Sequence, residues 1–311
     1  MFKQWRIASM LLLAAVMGVF ISACGSTTTT TGSTSSATST PSTLGTPGTY
    51  TCLSGSLTLA GSTALAPLTQ QVAKDYQAQC SSANVSVGLG GSGVGLADAE
   101  NGTVQIGDSD IFSKAGQSDL VDHQVAIIVF TLVINKNVTG VTNLTTDQIK
   151  SIYSGKVTNW NQLGGPNLKI TVVSRPTTSG TRATFGQYIL AGPETITGPS
   201  NLISDSTGTV ATEVNQTSGA IGYVTTGAAK NLGLTMLNID GNSPTASSVE
   251  SNTYKFWNIE HMYTKGAATG LALAFLDYMS STQAVTDAHN LGYLALTEMQ
   301  ASAIQAHQPQ S

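Results

Sequence analysis

From Ser54 onward, short apolar runs alternate with Gly/Ser-rich turns and amphipathic stretches. Ser56 to Ala60 reads as a first strand, and Gly61-Ser62-Thr63 turns the chain. Leu65, Leu68, Val72 and Tyr76 then recur at helical spacing, with Pro67 tolerated because it falls in the first turn. Val85 to Leu89 predicts a second strand, Gly90 to Gly95 a glycine-rich turn, and Leu96 to Asn101 a short helix. Further strands are expected at Gln105 to Gly107, Val125 to Asn135, Lys169 to Ser174 and Ala220 to Val224. A capping box, Thr145 with Gln148, opens a helix that Gly155 closes. Thr181 to Leu190, Gly270 to Met279 and Gln283 to Asn290 continue the helical set, and no internal repeat is present. This alternation predicts the α/β class with a largely parallel sheet.

The first residues follow another pattern. Lys3 and Arg6 precede an almost unbroken apolar run, Ala8 to Phe20, that ends in Ile21-Ser22-Ala23-Cys24. Residues 1–23 therefore read as a secretory signal, the apolar run being shorter than the roughly 20 residues a spanning helix needs. Ile-Ser-Ala-Cys resembles the bacterial lipobox, so Cys24 is expected to carry lipid and to anchor an exported protein on the outer face of the cell membrane or its periplasmic side. Residues 25–49 hold 17 Ser or Thr among 25 and no charge, too little apolar surface to offset ordering entropy. The stretch 24–51 is expected to be a disordered tether.

Composition then removes several function classes. Beyond Ala23 the chain carries 11 basic and 17 acidic residues with no basic run, so nucleic acid is not an expected partner. No Cys-x-x-Cys occurs, and His123, His261, His289 and His307 are scattered, leaving no recognisable metal-ligand spacing. Gly88-Leu89-Gly90-Gly91-Ser92-Gly93 spells the dinucleotide fingerprint. Export argues against a nicotinamide enzyme, and no P-loop sequence exists, so neither cofactor nor metal is expected. Cys52 precedes the first strand and Cys80 ends the helix returning from that strand's far end, which puts both at one pole of the sheet. A Cys52–Cys80 disulfide suits an exported protein, two buried thiols being the alternative.

Four turns carry candidate chemistry, each at the C-terminal end of an expected strand: Gly61-Ser62-Thr63-Ala64, Gly90-Gly91-Ser92-Gly93, Gly107-Asp108-Ser109-Asp110, and Thr177-Thr178-Ser179-Gly180-Thr181-Arg182. Ligands collect at that edge of open α/β sheets, where helix N-termini present unpaired N–H groups. With Arg175 nearby, hydroxyls, amides and one guanidinium form a donor shell for a small oxyanion.

Runs of residues across the folded body resemble the phosphate-binding substrate-binding proteins of bacterial ABC importers. They are Gly-Ser-Thr-Ala-Leu-Ala-Pro-Leu at 61–68, Gly-Gly-Ser-Gly-Val-Gly-Leu at 90–96, Ile-Gly-Asp-Ser-Asp-Ile-Phe at 106–112, Thr-Asn-Trp-Asn-Gln-Leu-Gly-Gly at 158–165 and Ser-Gly-Thr-Arg-Ala-Thr-Phe at 179–185. The resemblance implies a two-lobed type II periplasmic-binding-protein (Venus-flytrap) fold with mixed, mostly parallel sheets and a hinge. Lobe 1 is expected over 52–135 plus 230–311 and lobe 2 over 136–229, crossing at Val129 to Asn135 and again after Val224. Implied phosphate-binding residues are Ser62, Thr63, Ser92, Gly93, Ser109 and Asp110 from the first lobe, and Arg175, Ser179, Gly180 and Thr181 from the second. Thr178 and Val94 depart from the family's usual glycine and threonine. Asp108 is expected to face away along its turn, Trp160 to pack structurally, and Arg182 to form either a salt bridge or a second anion contact. The function implied is a monomeric, non-catalytic receptor for inorganic phosphate that serves ABC permease subunits. An exported phosphatase-like ectoenzyme on the same scaffold and a receptor for sulfate, molybdate or tungstate are the alternatives.

Overall fold

The computed structural model describes residues 50–195 and 201–309. The expected signal, Cys24 and nearly all of the expected tether lie outside them. In chain order the elements are β1 (Gly55–Gly61), α1 (Ala66–Gln79), β2 (Ala83–Leu89), α2 (Ser92–Asn101), β3 (Ile106–Ser109), β4 (Leu120–Ile134), β5 (Asn143–Leu144), α3 (Thr146–Tyr153), β6 (Thr171–Ser174) and α4 (Gly180–Phe185). They continue with β7 (Leu202–Ile203), α5 (Thr207–Gln216), β8 (Ala220–Thr225), α6 (Thr226–Asn231), β9 (Thr235–Met236), β10 (Asn238–Ile239), α7 (Ala246–Glu250), β11 (Trp257–Lys265), α8 (Gly270–Met279), α9 (Thr282–Leu291) and α10 (Ala301–Ala306).

The main sheet runs β2-β1-β3-β11-β4-β8-β6-β7, with β9 also on β4. Toward both edges the pairing is parallel, β1 with β2 and β3, and β6 with β7 and β8. The centre is antiparallel, because β11 pairs against β3 and β4, and β8 against β4. The sheet is thus mixed, as the family resemblance implied, with an antiparallel centre that the alternation of elements did not reveal. The cause is β11, whose polar residues disguise a strand buried on both faces. Asn258, Glu260, His261 and Thr264 are all buried beside Trp257, Ile259, Met262 and Tyr263.

The 15-residue β4 links the two halves of the sheet. Its residues Leu120 to Val129 pair with β11, and Phe130 to Ile134 pair with β8. The chain returns at Tyr254–Trp257, where Tyr254 Oη donates to Phe130 O (2.9 Å) and Phe130 N to Phe256 O (3.0 Å). Residues after α6 do not recross at once, as the boundary at 229/230 would require. β9 pairs with the end of β4, and β10 pairs with β5. These short strands keep the 235–239 stretch with the second half.

The N-terminal edge is stapled. Cys52 and Cys80 are disulfide-bonded with Cα atoms 5.1 Å apart. Tyr76 Oη donates to Thr51 O (2.9 Å), and the Tyr50 ring packs edge-on against Tyr278 at 4.6 Å. Tyr50 and Thr51, read from composition as tether, therefore belong to the body. The capping box at Thr145 is formed as expected. The helix expected over Thr181 to Leu190 is α-helical only to Phe185 and continues as a π-helical turn.

Candidate oxyanion-binding site

Each of the four turns ends a strand and delivers hydroxyls or amides to one place between the two halves. β1 ends at Gly61, whose φ of +142° and contact with β3 admit no side chain, since a Cβ there would lie 2.1 Å from Asp108 O. The next two residues, Ser62 and Thr63, are buried. Ser92 opens α2 with Gly91 as its cap, and Ser179 caps α4 by accepting from Arg182 N (3.2 Å). The first amides of a helix have no intrahelical acceptor. Those of Ser92, Gly180 and Thr181 thus stand at positive helix ends, where an anion is favoured.

Arg175, after β6, is the cation of the site and is only 1% exposed. Its Nη2 donates to Thr63 Oγ1 (3.0 Å) and Asp205 O (3.2 Å), and its Nη1 to Thr207 Oγ1 (3.3 Å). Thr63 Oγ1 also accepts from Thr207 N (3.2 Å), so this guanidinium bridges the first and second halves. Its Nε has no partner. The carboxylates in contact with basic side chains among the described residues are Glu194, Asp122 and Glu298, beside Arg182, His261 and His289. None serves Arg175. Burial pulls the guanidinium below its ordinary value, opposed by Asp110, Tyr223 and Asp205. A buried charge with no carboxylate in direct contact is expensive, and an oxyanion between the turns would supply that contact.

Asp110 faces the same space. Its Oδ1 accepts from Ser62 Oγ, its Oδ2 accepts from Thr181 Oγ1 (2.8 Å), and its own N–H donates to Ser92 Oγ (2.9 Å). Burial pushes the carboxyl up, while the hydroxyls of Ser62 and Thr181, then Arg175 and Ser92, oppose the shift. Each carboxylate oxygen retains a free lone pair, so Asp110 can still accept a proton from a ligand.

The structure brings Ser62, Thr63, Ser92, Asp110, Arg175, Ser179, Gly180 and Thr181 together. Gly93 sits in the same place, but its N–H is committed across the cleft to Thr178 O (2.9 Å). Ser109 is turned away: its hydroxyl donates to Ile111 O (2.7 Å) and accepts from Ile111 N (3.1 Å), closing its own turn. Asp108 does not face solvent. It is fully buried beside Asp110, projecting from the sheet with Thr69 of α1 against it. Trp160 is structural, fully buried with Nε1 donating to Gly219 O (2.8 Å). Arg182 resolves to the salt bridge, 3.6 Å from Glu194, and its Nη1 also supports Arg175 O (2.6 Å).

Sequence reasoning missed Thr207, Asp205 and Asn258. Asn258 Nδ2 donates to Asp110 O (2.7 Å) and Thr184 Oγ1 (3.4 Å), tying the Asp110 turn to α4. The signal for Thr207 was available, since Ser206-Thr207-Gly208-Thr209 repeats the hydroxyl-and-glycine grammar of the other turns, with Ser206 capping α5. Asn258 carried no local signal, because its role depends on β11 lying against β3 and β4.

Known proteins match this arrangement. The family model of the PBP superfamily domain matches residues 26–283. The phosphate-binding protein PstS of Bacillus subtilis is 39% identical over 305 residues, 96% of each chain. A crystal structure from Clostridium perfringens, described as a phosphate ABC transporter substrate-binding protein with bound phosphate, superposes with a TM-score of 0.73. It is 26% identical and covers 78% of this chain and 100% of that one. An ABC-type phosphate transport receptor from Vibrio cholerae gives 0.63 at 25% identity, with coverage of 78% and 100%. Both the two-lobed type II fold and the sequence kinship being established, the chain belongs to the PstS phosphate-binding proteins of the PBP superfamily.

Proposed function

We propose that this protein is an extracytoplasmic receptor that binds inorganic phosphate between its two halves and presents it to the permease subunits of an ABC importer. The carrying observation is Arg175, a buried guanidinium with an unpartnered Nε and no carboxylate in ion-pair contact. Phosphate would answer it with two charge-assisted bonds of the kind that guanidinium geometry favours. Amides of Ser92, Gly180 and Thr181 and the surrounding hydroxyls would take the remaining oxygens. Because donors come from both halves, the ligand stabilises the closed arrangement and shifts the population toward it.

Asp110 supplies selectivity. Near neutral pH phosphate keeps at least one proton and can donate it to the carboxylate, whereas sulfate has none to give. The receptor binds without chemistry on its ligand, acts as a monomer, and is held to the membrane through lipid on Cys24. Calorimetric titration with phosphate and sulfate tests the reading: phosphate should bind and sulfate should give no heat. A preference for sulfate, or no binding of either, refutes it. Detergent partitioning of Cys24→Ser tests the anchor, which fails if the variant still partitions like wild type.

A further inference from the structure

Behind Asp110 lie two carboxyls that the binding shell does not use. Asp108, at the end of β3, and Glu260, in β11, are each 0% exposed. Neither oxygen of either group has a hydrogen-bond partner. Main-chain pairing puts them close together, since Met262 of β11 stands opposite Asp108 and a register shift falls between Glu260 and His261. Both are closed off from solvent, and among the described residues no cation is paired with them.

The groups around the pair come from several elements. Glu260 is coupled to Asp110 and Asp108 from the β3 side, and Tyr293, which follows α9, is coupled to all three carboxyls. Ala126, opposite Glu260 on β4, brings no titratable group. His261, the next residue of β11, is held by Asp122 at Nδ1 (2.8 Å). Thr69 on α1 is the polar neighbour of Asp108, and its hydroxyl donates to Ala66 O (3.2 Å). Arg175 acts on Asp110 from the second half.

Glu260 has neither solvent nor donor to stabilise a charge, and Asp108 has only the Thr69 hydroxyl, which burial outweighs, so the neutral acid is the stable form of each. The alternative is three anionic side chains around one guanidinium, in a site that must also accept an anion.

We propose that Glu260 and Asp108 are held as neutral carboxylic acids at neutral pH, leaving Asp110 as the sole anionic side chain of the site, and that this protonation is a condition of phosphate binding. The inference rests on the phosphate reading given above. Burial is the leading cause pushing both groups well above the ordinary carboxylate range, with Asp110 adding to it in each case. For such groups the sign is fixed. The folded state holds the proton more tightly than the unfolded chain, so stability falls as pH rises past the ordinary value of the free group. An anionic ligand adds a further like charge, so ionisation of the pair also weakens its binding.

Two readouts on the full chain test this. In infrared difference spectra at pH 7, Glu260→Gln and Asp108→Asn should each lose the carbonyl stretch of a protonated carboxyl, and in wild type that band should fade on alkalinisation. In phosphate titrations, Glu260→Gln should match wild type within about twofold at pH 6. As pH rises through the titration that controls the pair, wild type should lose affinity relative to the variant, by about tenfold one pH unit above the point at which the infrared band fades. The proposal is overturned if no protonated-carboxyl band is lost, if the two affinities stay parallel while the wild-type band fades, or if Glu260→Gln tightens binding at pH 6 by about tenfold, the sign of a removed charge. Absence of phosphate binding by wild type at pH 6 would instead refute the receptor reading, with the infrared result still deciding the protonation. Should a variant fail to fold, the wild-type infrared titration decides alone.

Discussion

Replacing Arg175 by methionine isolates the feature on which the functional reading depends. Methionine fills much of the same space, while the charge and all three guanidinium hydrogen bonds, to Thr63, Thr207 and Asp205 O, disappear. A unit charge about 4 Å from an anion at an effective dielectric near 20 contributes roughly 4 kcal/mol, about three powers of ten in affinity. Water entering the vacated space returns part of this, so the expected loss is roughly 100- to 1,000-fold. Without ligand the effect should be opposite in character, because a buried cation with no carboxylate in ion-pair contact is removed. The unliganded Tm is therefore expected to hold or rise. Calorimetry reads the affinity. Thermal unfolding with and without phosphate reads the linkage, which in wild type stabilises by about 4 kcal/mol at a thousandfold excess over Kd. The reasoning fails if Arg175→Met binds phosphate within about threefold of wild type, less than 1 kcal/mol, or if the variant loses stability chiefly in the absence of phosphate.

Gly180→Ala should block closure, because the added Cβ would sit 2.1 Å from Ser92 Oγ and 2.9 Å from Asp110 Cβ across the cleft. Small-angle scattering should show no contraction on adding phosphate, and a wild-type contraction would contradict this. Asp110→Asn is expected to keep measurable phosphate binding and to gain sulfate binding, since an amide can donate where the carboxylate only accepts; a variant as blind to sulfate as wild type would remove Asp110 from the selectivity argument. Replacing Cys52 and Cys80 together by serine opens a crosslink spanning 28 residues. Chain entropy sets its contribution at roughly 3.6 kcal/mol, expected to lower Tm by about 7–14 °C while phosphate affinity, measured well below Tm, stays unchanged.

Local features of the chain were legible wherever a local rule produces them. The strand-turn-helix units at β1–α1 and β2–α2, the capping box at Thr145 and the hydroxyl-rich turns follow from periodicity and capping chemistry within a few residues of each other. So did the donor set of the site, because helix N-termini and strand ends carry those turns by construction. Cys52 and Cys80 could be placed at one pole from the length of the helix between them, although only the fold decided that they bond.

What depended on contacts distant in sequence was not readable. β11 carries Asn258, Glu260, His261 and Thr264 yet is buried on both faces, between β3 and β4 at the centre of the sheet. Its absence from the sequence reading hid the antiparallel centre of the sheet, the role of Asn258 and the burial of Glu260. The pairing of the chain just after α6 was hidden for a related reason. β9 and β10 are two residues long and exist only through pairing with β4 and β5. Asp108 was expected to face away along its turn, and nothing in Gly107-Asp108-Ser109-Asp110 shows that this direction leads into the interior. Thr69 of α1 lies against it there, and such enclosure determines which carboxyls of this protein can carry charge.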